Sequence, residues 1–295
     1  MNIYNGAPYL RESIDSVIAQ THRDWELIAW DDCSTDNSAE IVKSYQDPRI
    51  RYVLARKQVT IGLARHLALG EVKGEWVAFL DQDDLWTAEK LEKQVALVAA
   101  PEVGIVYGRT VTFNPSGHRQ DFDHRHEFEP LPEGALLERL FVDASFISMS
   151  SAMLRRSALE ELGGIAPEIN IIPDYYMYLG VSQRYTTRAV QEVVCHYRLH
   201  SNNMTPRNFK QLHMECVWVI DRWGKGLRPG LLAHRRAVHQ TLVALEELKK
   251  GPKRDGLIRL LTKGSLSYLF SRPFARGFRA LRRKIQTPYW QRTSK

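Results

Sequence analysis

An apolar run that ends in a cluster of acids is the feature that most constrains this chain. Residues 76–80 read Trp-Val-Ala-Phe-Leu and lead directly into Asp81-Gln82-Asp83-Asp84. Such a run predicts a buried strand, and open α/β sheets bind ligands just beyond the carboxyl ends of their strands. Clustered carboxylates repel one another unless a cation joins them, and Mg²⁺ and Mn²⁺ prefer such oxygen ligands. The segment predicts a metal site, with an acid-decorated helix N-terminus as the alternative.

The first two thirds of the chain have the pattern of a layered α/β domain, because short apolar runs alternate with helical patterns. A second apolar run, residues 27–30, ends in Asp31-Asp32. Ends of parallel strands share one edge of a sheet, so we expect both acidic clusters in one crevice. A carboxylate there accepts hydrogen bonds from a nucleobase or a ribose. Helix capping is the alternative, with Ser34 or Thr35 as the cap of the next helix.

Other segments supply the remaining elements of such a domain. We predict strands over residues 50–54, 103–111 and 190–197. We predict helices after Pro8, around Gly62, after Thr87 and over 157–162, and further helices beyond 206. A polar loop is predicted over 114–134.

Charge divides the chain near residue 205. Residues 206–295 carry 21 Lys/Arg against 5 Asp/Glu, whereas residues 1–205 carry 20 against 29. We therefore predict an α/β domain over 1–205 and a basic helical extension over 206–295. Residues 254–286 interleave basic and bulky apolar side chains, as an amphipathic helix on an anionic membrane does. A basic helix packed on the first domain is the alternative, and no motif supports a nucleic-acid partner.

The sequence also bears on the compartment. No stretch approaches the roughly 18 apolar residues of a membrane span, and residues 1–6 lack the pattern of a secretory signal. Cys33, Cys195 and Cys216 are far apart and lack the spacing that predicts a disulfide framework or a structural zinc site. We expect a cytoplasmic protein, with at most peripheral contact to the inner face of the membrane.

Several segments, in their order along the chain, together resemble glycosyltransferase family 2. Residues 4–10 read Tyr-Asn-Gly-Ala-Pro-Tyr-Leu, and residues 25–36 read Trp-Glu-Leu-Ile-Ala-Trp-Asp-Asp-Cys-Ser-Thr-Asp. Residues 74–84 match the family's strand and DxD signature. The resemblance covers roughly residues 2–205. It implies an α/β GT-A fold (the Rossmann-like nucleotide-diphospho-sugar transferase domain), a nucleotide-diphosphate sugar donor, a divalent metal (Mn²⁺ or Mg²⁺) and inversion at the anomeric carbon.

The resemblance also implies roles for four acids. Asp32, with Asp31 as its neighbour, would lie at a uracil-type base of the donor. Asp81 would lie by the ribose and the metal, and Asp83 would bind the metal that bridges the diphosphate. Such a metal neutralises charge that develops on the leaving nucleoside diphosphate.

Two further residues match family positions near the diphosphate. Arg65, on the helix after Gly62, corresponds to a position near the donor phosphates, with an exposed helix arginine as the alternative. Residues 197–200 read Tyr-Arg-Leu-His and resemble the family's closing segment, in which a histidine reaches the metal or the diphosphate. His200 is the matching residue.

An inverting transfer also needs a general base that removes the proton of the acceptor hydroxyl. In the family this is usually the Asp of a Glu-Asp pair that follows a Gly-Gly segment. Here residues 163–164 are Gly-Gly and residues 173–174 are Pro-Asp, so Asp174 is the matching residue and Pro173 occupies the position of the Glu. Capping of the helix after the proline is the alternative role of Asp174.

The start of the chain departs from the family pattern. Members usually have an apolar strand before the Tyr-Asn-Gly segment, whereas this chain begins Met1-Asn2-Ile3, so we expect the first strand to be missing. We predict a metal-dependent inverting glycosyltransferase that moves a sugar from a UDP- or dTDP-type donor to a glycan or lipid-linked acceptor in cell-surface polysaccharide assembly. The missing strand and Pro173 leave one alternative, a catalytically silent sugar-nucleotide-binding or membrane-associated scaffold protein.

Overall fold

The chain forms two compact units in a computed structural model, Met1–Asn203 and Met204–Lys295. The structure describes residues 1–114, 117, 119–121, 129–143, 146–201, 203 and 209–250. The basic and apolar segment 254–286 and most of the predicted polar loop lie outside these residues. Among the described helices, none is both long enough and apolar enough to cross a bilayer.

The described elements confirm most of the predicted strands and helices. The strands are β1 (Asn2–Ile3), β2 (Leu27–Asp31), β3 (Ile50–Leu54), β4 (Trp76–Ala78), β5 (Leu85–Trp86), β6 (Val103–Phe113), β7 (Arg119–Asp121), β8 (Met153–Arg155) and β9 (Thr186–Arg198). The helices are α1 (Ala7–Ile18), α2 (Ser38–Lys43), α3 (Ile61–Leu69), α4 (Lys90–Val95), α5 (Leu137–Asp143), α6 (Arg156–Glu161), α7 (Pro173–Val181), α8 (Phe209–Trp223) and α9 (Pro229–Lys250).

Two sheets meet at the short first strand. The first sheet is parallel, in the order β1-β2-β3, and the second has the order β4-β8-β6-β9-β5, with β7 paired to β6. Asn2 pairs with Trp30 of β2 on one side and forms a parallel bridge with Asp81 on the other. The expectation that the first strand is missing is therefore wrong, because Asn2 and Ile3 occupy its position and hold the ends of β2 and β4 side by side.

The core of the first unit explains why the strands occupy these positions. All five residues of β2 are buried, as expected of a parallel strand covered on both faces. On α1, Leu10, Ile14 and Val17 lie on one face and are buried. They belong to one apolar cluster that also contains Ile3 and Leu80, so α1 packs across the junction of the two sheets.

The start of α2 differs from the prediction. Neither Ser34 nor Thr35 caps this helix, because α2 begins at Ser38 after Asn37. The Ser34 hydroxyl instead accepts a hydrogen bond from the amide of Asn5 (3.0 Å), and the Thr35 amide donates to the Asn5 side chain (2.8 Å). The polar residues after β2 thus hold the Asn5 turn, whose φ of 50° is left-handed.

A close backbone contact fixes the position of α3. A Cβ atom on Gly62 would lie 1.8 Å from the main-chain oxygen of Ile169, so only glycine lets the helix approach this loop. The Gly62 amide also faces the side-chain oxygen of Asn170, 3.4 Å away. The contact joins the helix that carries Arg65 to the segment that leads into α7.

We expect Gly62→Ala to destabilise the protein by about 1–3 kcal/mol, because the added methyl group must displace main-chain atoms. Urea unfolding of both proteins measures the difference. The matched control is Gly230→Ala in α9, where a Cβ meets nothing within 4 Å. Alanine there should be neutral or stabilise by up to about 1 kcal/mol, because alanine has the higher helix propensity. Equal stability of Gly62→Ala and the unmodified protein would contradict the close packing of α3.

Candidate active site

The acid loop, residues 81–84, follows β4, and Ser150 forms hydrogen bonds with both ends of this loop. The Ser150 hydroxyl donates to the Asp84 carboxylate (2.5 Å) and accepts from the Asp81 amide (3.1 Å). The Trp86 indole in turn donates to the main-chain oxygen of Ser150 (2.7 Å). One buried serine therefore connects the two ends of the acid loop.

Arg198, at the end of β9, also forms hydrogen bonds with the acid loop. Its amide donates to the Asp84 carboxylate (3.0 Å), and its guanidinium donates to the main-chain oxygen of Asp83 (2.8 Å). The same guanidinium pairs with Glu12 (2.8 Å) and lies over the ring of Tyr9, 4.8 Å from its centre. These contacts fix the turn of the loop and place one positive charge beside three acids.

Electrostatic strain in the acid loop is concentrated at Asp84. Burial raises the pKa of Asp84 well above its usual value, and the charges of Asp81 and Asp83 raise this pKa further. The side chains of Asp81 and Asp83 keep 31% and 20% of their surface exposed. These two carboxylates, unlike Asp84, are accessible to a ligand.

Arg65 forms an ion pair with Asp81. The arginine lies on α3 and is buried, so the alternative of an exposed helix arginine is wrong. The fixed position of α3 aims its guanidinium at the end of β4. One of the three charges in the acid loop therefore has a cationic partner within the protein.

His200 reaches Asp83 from the segment after β9. Its Nε2 lies 2.8 Å from Oδ2 of Asp83, and its ring packs on Tyr9 with the ring centres 4.9 Å apart. The His200 amide donates to the side chain of Asn203 (2.7 Å), which holds the turn that follows β9. The structure thus brings together two residues that are 117 positions apart in the sequence.

Asp174 lies in the first turn of α7. Ile172 is the residue at the N-cap and Pro173 is the first helical residue, so Asp174 is not the N-cap, although its carboxylate accepts a hydrogen bond from the Tyr175 amide in the same turn (2.8 Å). Proline fits this position because its missing N–H would have no partner within the helix. Burial raises the pKa of Asp174 to about 6, against the lowering effects of the Tyr175 hydrogen bond and, less strongly, of the Arg65 charge, while the Asp81 charge adds a smaller increase. The charges of Arg65, Asp81 and Asp174 therefore act on one another.

Asp31 and Asp32 differ in their hydrogen bonds. Both oxygens of Asp31 accept from the protein, one from the Ser34 amide (2.8 Å) and one from the Tyr52 hydroxyl (2.7 Å). Both oxygens of Asp32 face a single donor, the Val59 amide, at 3.2 Å. Burial raises the pKa of Asp32. Asp32 thus retains more capacity to accept a hydrogen bond from a ligand.

The residues at the end of β4 fit a divalent cation. Asp81 and Asp83 supply accessible carboxylate oxygens, and His200 supplies an imidazole nitrogen next to Asp83. Mg²⁺ and Mn²⁺ take such oxygen-rich ligand sets. Burial is the main cause of the raised pKa of Asp84, and the neighbouring charges of Asp81 and Asp83, which raise it further, are charges that a cation would offset.

Sequence reasoning missed three residues that hold the site. Ser150 belongs to a run of buried serines, Ser148, Ser150 and Ser151, whose burial no sequence pattern indicates. Arg198 stands in the predicted closing segment without an assigned role. Gln82 lies inside the acid loop, and its side chain bonds to the main chain of Tyr4 through both its oxygen (2.9 Å) and its nitrogen (3.1 Å).

The fold is the α/β GT-A fold, with clustered acids at the ends of two strands. In solved structures, a similar fold is found in S. aureus TarS residues 1–349 (TM-score 0.67, 16% identity, 89% of this chain and 77% of that one). It is also found in the mannosyltransferase PcManGT from Pyrobaculum calidifontis, in complex with GDP-Man and Mn²⁺ (TM-score 0.60, 19% identity, 93% and 80%).

Comparison of sequences then gives the family. The model of glycosyl transferase family 2 matches residues 1–163, and the chain belongs to this family. It is 30% identical to TuaG of Bacillus subtilis, named for teichuronic acid biosynthesis, over 74% of this chain and 84% of TuaG. It is 28% identical to WfgD of Escherichia coli, a UDP-Glc:α-D-GlcNAc-diphosphoundecaprenol β-1,3-glucosyltransferase, over 72% of this chain and 80% of WfgD. The prediction of a glycosyltransferase is thereby confirmed.

We expect Ser150→Ala to destabilise the protein by about 1–3 kcal/mol at neutral pH, because Asp84 loses a buried hydrogen-bond donor. That donor favours the charged carboxylate, so its loss raises the pKa of Asp84 further. The stability difference from the unmodified protein should therefore grow as the pH rises through the folded-state pKa of Asp84, which burial holds well above its usual value, because the unfolded carboxyl is the same in both proteins. Urea unfolding between pH 5 and pH 8 measures the trend.

The matched control for this variant is Ser151→Ala. Ser151 is equally buried, but its hydroxyl donates to the main-chain oxygen of Ser148 (2.9 Å) and touches no acid. Its destabilisation should not change with pH. A loss for Ser150→Ala that is equally independent of pH would show that the serine does not stabilise a charged Asp84.

Proposed function

We propose that this chain is a metal-dependent inverting glycosyltransferase that uses a UDP- or dTDP-type sugar donor. The observation that carries the proposal is the juxtaposition of the ends of β2 and β4, which Asn2 joins by pairing with Trp30 and Asp81. On one side is Asp32, on the other are Asp81 and Asp83, and Asp174 interacts electrostatically with Asp81. These are the groups that donor binding and deprotonation of an acceptor require.

Binding of the donor uses both strand ends. Asp32 accepts a hydrogen bond from the base, and Asp31 positions this end of β2 through its bonds to Ser34 and Tyr52. Asp81 accepts from the ribose, and Arg65 places a positive charge near the phosphates. A uracil-type base is supported by the names of relatives, since WfgD uses UDP-Glc and TarS was solved with UDP and with UDP-GlcNAc.

Asp83, with His200 and Asp81, would hold a Mn²⁺ or Mg²⁺ ion. Such an ion supplies positive charge to the diphosphate as it leaves. The complex of PcManGT with Mn²⁺ supports an ion of this kind in the fold. The protein contributes Arg198, whose bonds to the acid loop keep the ligand oxygens in place.

Asp174 is the general base of the proposed reaction. Its carboxylate accepts the proton of the acceptor hydroxyl while the hydroxyl oxygen forms a bond to the anomeric carbon. The bond from that carbon to the diphosphate breaks on the opposite face, so the configuration inverts. A pKa of about 6 suits this task, because the group is ionised at neutral pH and is still basic enough to take a proton.

A glycan or lipid-linked acceptor at an anionic membrane completes the proposal. Two relatives are named for cell-surface polymers, TuaG for teichuronic acid and WfgD for a diphosphoundecaprenol-linked acceptor. The basic excess of residues 206–295 suits an anionic lipid surface, with the enzyme held peripherally at the inner face of the membrane.

We expect UDP or dTDP to raise the melting temperature in the presence of Mn²⁺ and to lose this effect in EDTA. A ligand at a hundredfold excess over its Kd stabilises the folded state by about 2.7 kcal/mol. GDP and CDP serve as base controls. Asp83→Asn keeps the size of the side chain but removes its charge, so the metal-dependent shift should disappear. No shift with any nucleotide in a cooperatively melting protein would contradict the donor site.

We expect Asp174→Asn to lower kcat by roughly 10²–10⁴-fold while nucleotide binding is retained, because the amide cannot take the proton. In the unmodified enzyme, kcat/KM should rise with pH through about 6 as Asp174 ionises. Transferase assays with one sugar donor at a series of pH values measure both the loss of kcat in the variant and the pH dependence of kcat/KM. Glu160→Gln, at an exposed acid on α6, is the charge control and should retain full activity. An active Asp174→Asn variant with the same pH profile would exclude Asp174 as the base.

A further inference from the structure

A second group of potential metal ligands lies in the helical unit. His213 and Cys216 are one helical turn apart on α8, and His239 lies on α9. All three side chains are buried, and one ligand atom from each lies within 4.8 Å of the others. The spacing of the cysteines did not indicate this group, because two of its three members are histidines from two helices.

The hydrogen bonds of the two imidazoles define where their protons lie. Arg235 can only donate, so its guanidinium donates to Nε2 of His239, 3.4 Å away. The proton of His239 is then on Nδ1, which donates to Nδ1 of His213 at 2.9 Å. His213 must carry its own proton on Nε2, and this buried atom has no hydrogen-bond partner among the described residues.

The chemistry of the three side chains indicates which kind of metal ion they could bind. Burial lowers the pKa of His213 to about 4 and that of His239 well below its usual value, so both rings are neutral at pH 7. Neutral imidazole and cysteine thiolate are the ligands that zinc prefers in proteins. A hard ion such as Mg²⁺ would select oxygen ligands instead.

We propose that His213, Cys216 and His239 bind a zinc-class divalent ion that joins α8 to α9. Tetrahedral zinc places nitrogen and sulfur ligands about 3.3–3.6 Å from one another, given Zn–N of about 2.0 Å and Zn–S of about 2.3 Å. The two Nδ1 atoms, now 2.9 Å apart, need to separate by only about half an ångström. A water molecule or one further protein group takes the fourth position.

Proton balance follows from the same contacts. The Cys216 thiol releases one proton to solvent when its sulfur binds the ion. The proton that His239 shares with His213 moves from Nδ1 to Nε2 of His239, which gives up its contact with Arg235. No oxidant or reductant is required. Because Asp81 and Asp83 offer no sulfur, this site differs in its ligands from the candidate active site.

Cobalt is the probe that distinguishes the two sites. The full-length protein, freed of metal by dialysis against a chelator, is titrated with Co²⁺ and followed by absorption. We expect a thiolate-to-cobalt charge-transfer band and strong tetrahedral bands in the visible range, saturating at one equivalent and displaced by Zn²⁺. Absence of a thiolate band at saturating Co²⁺ overturns the proposal, whatever variants show.

Three variants assign the band to its ligands. Cys216→Ser should abolish the thiolate band, whereas Cys33→Ser, at a cysteine outside the group, should retain it. Asp83→Asn, which alters only the candidate active site, should also retain the band. Zn²⁺ should raise the melting temperature of the unmodified protein but not that of Cys216→Ser or His239→Asn. A band that persists in Cys216→Ser also overturns the proposal.

Discussion

Repulsion among the carboxylates of the acid loop is the constraint on which the rest of this structure depends. Three acids at the end of β4 would drive the loop open if it were not held. Ser150 and Arg198 each form two hydrogen bonds to the loop, and Arg65 of α3 adds an ion pair with Asp81. Residues that are distant in the sequence must therefore lie next to the acid loop. They are brought there by the sheet order, the close approach of α3 and the turn after β9.

The short first strand has a related role. Asn2 lies between Trp30 and Asp81, so the main chain of two residues sets the spacing between the acidic ends of β2 and β4. A parallel pair is held by main-chain bonds, and its geometry depends little on which side chains it carries. A strand of two residues is too short to be recognised from its hydrophobic pattern. It can nevertheless align the ends of β2 and β4, because its main chain makes the contacts.

The sequence predicts those parts of the fold and site that depend on local pattern. The runs that became β2, β3 and β6 are apolar, and the acids that follow two of the predicted strands are visible in the chain itself. The start of α2 was predicted wrongly because the side chain of Asn5, some thirty residues away, takes the contacts expected of a cap. The role of Ser150 was out of reach because it depends on a bond to Asp84, 66 positions away in a segment without periodicity.

Charge balance links the proposed roles of donor and cation. The adjacent ends of β2 and β4 are rich in carboxylates, and the positive charge of Arg65 already pairs with Asp81. A nucleoside diphosphate adds negative charge to this environment, so its binding is opposed unless a cation binds with it. In the proposed mechanism, the donor and the ion therefore stabilise one another at the site. The charges of Arg65 and Asp81 both affect the pKa of Asp174. Any change in their pairing on donor binding therefore also changes the pKa of Asp174, the proposed general base.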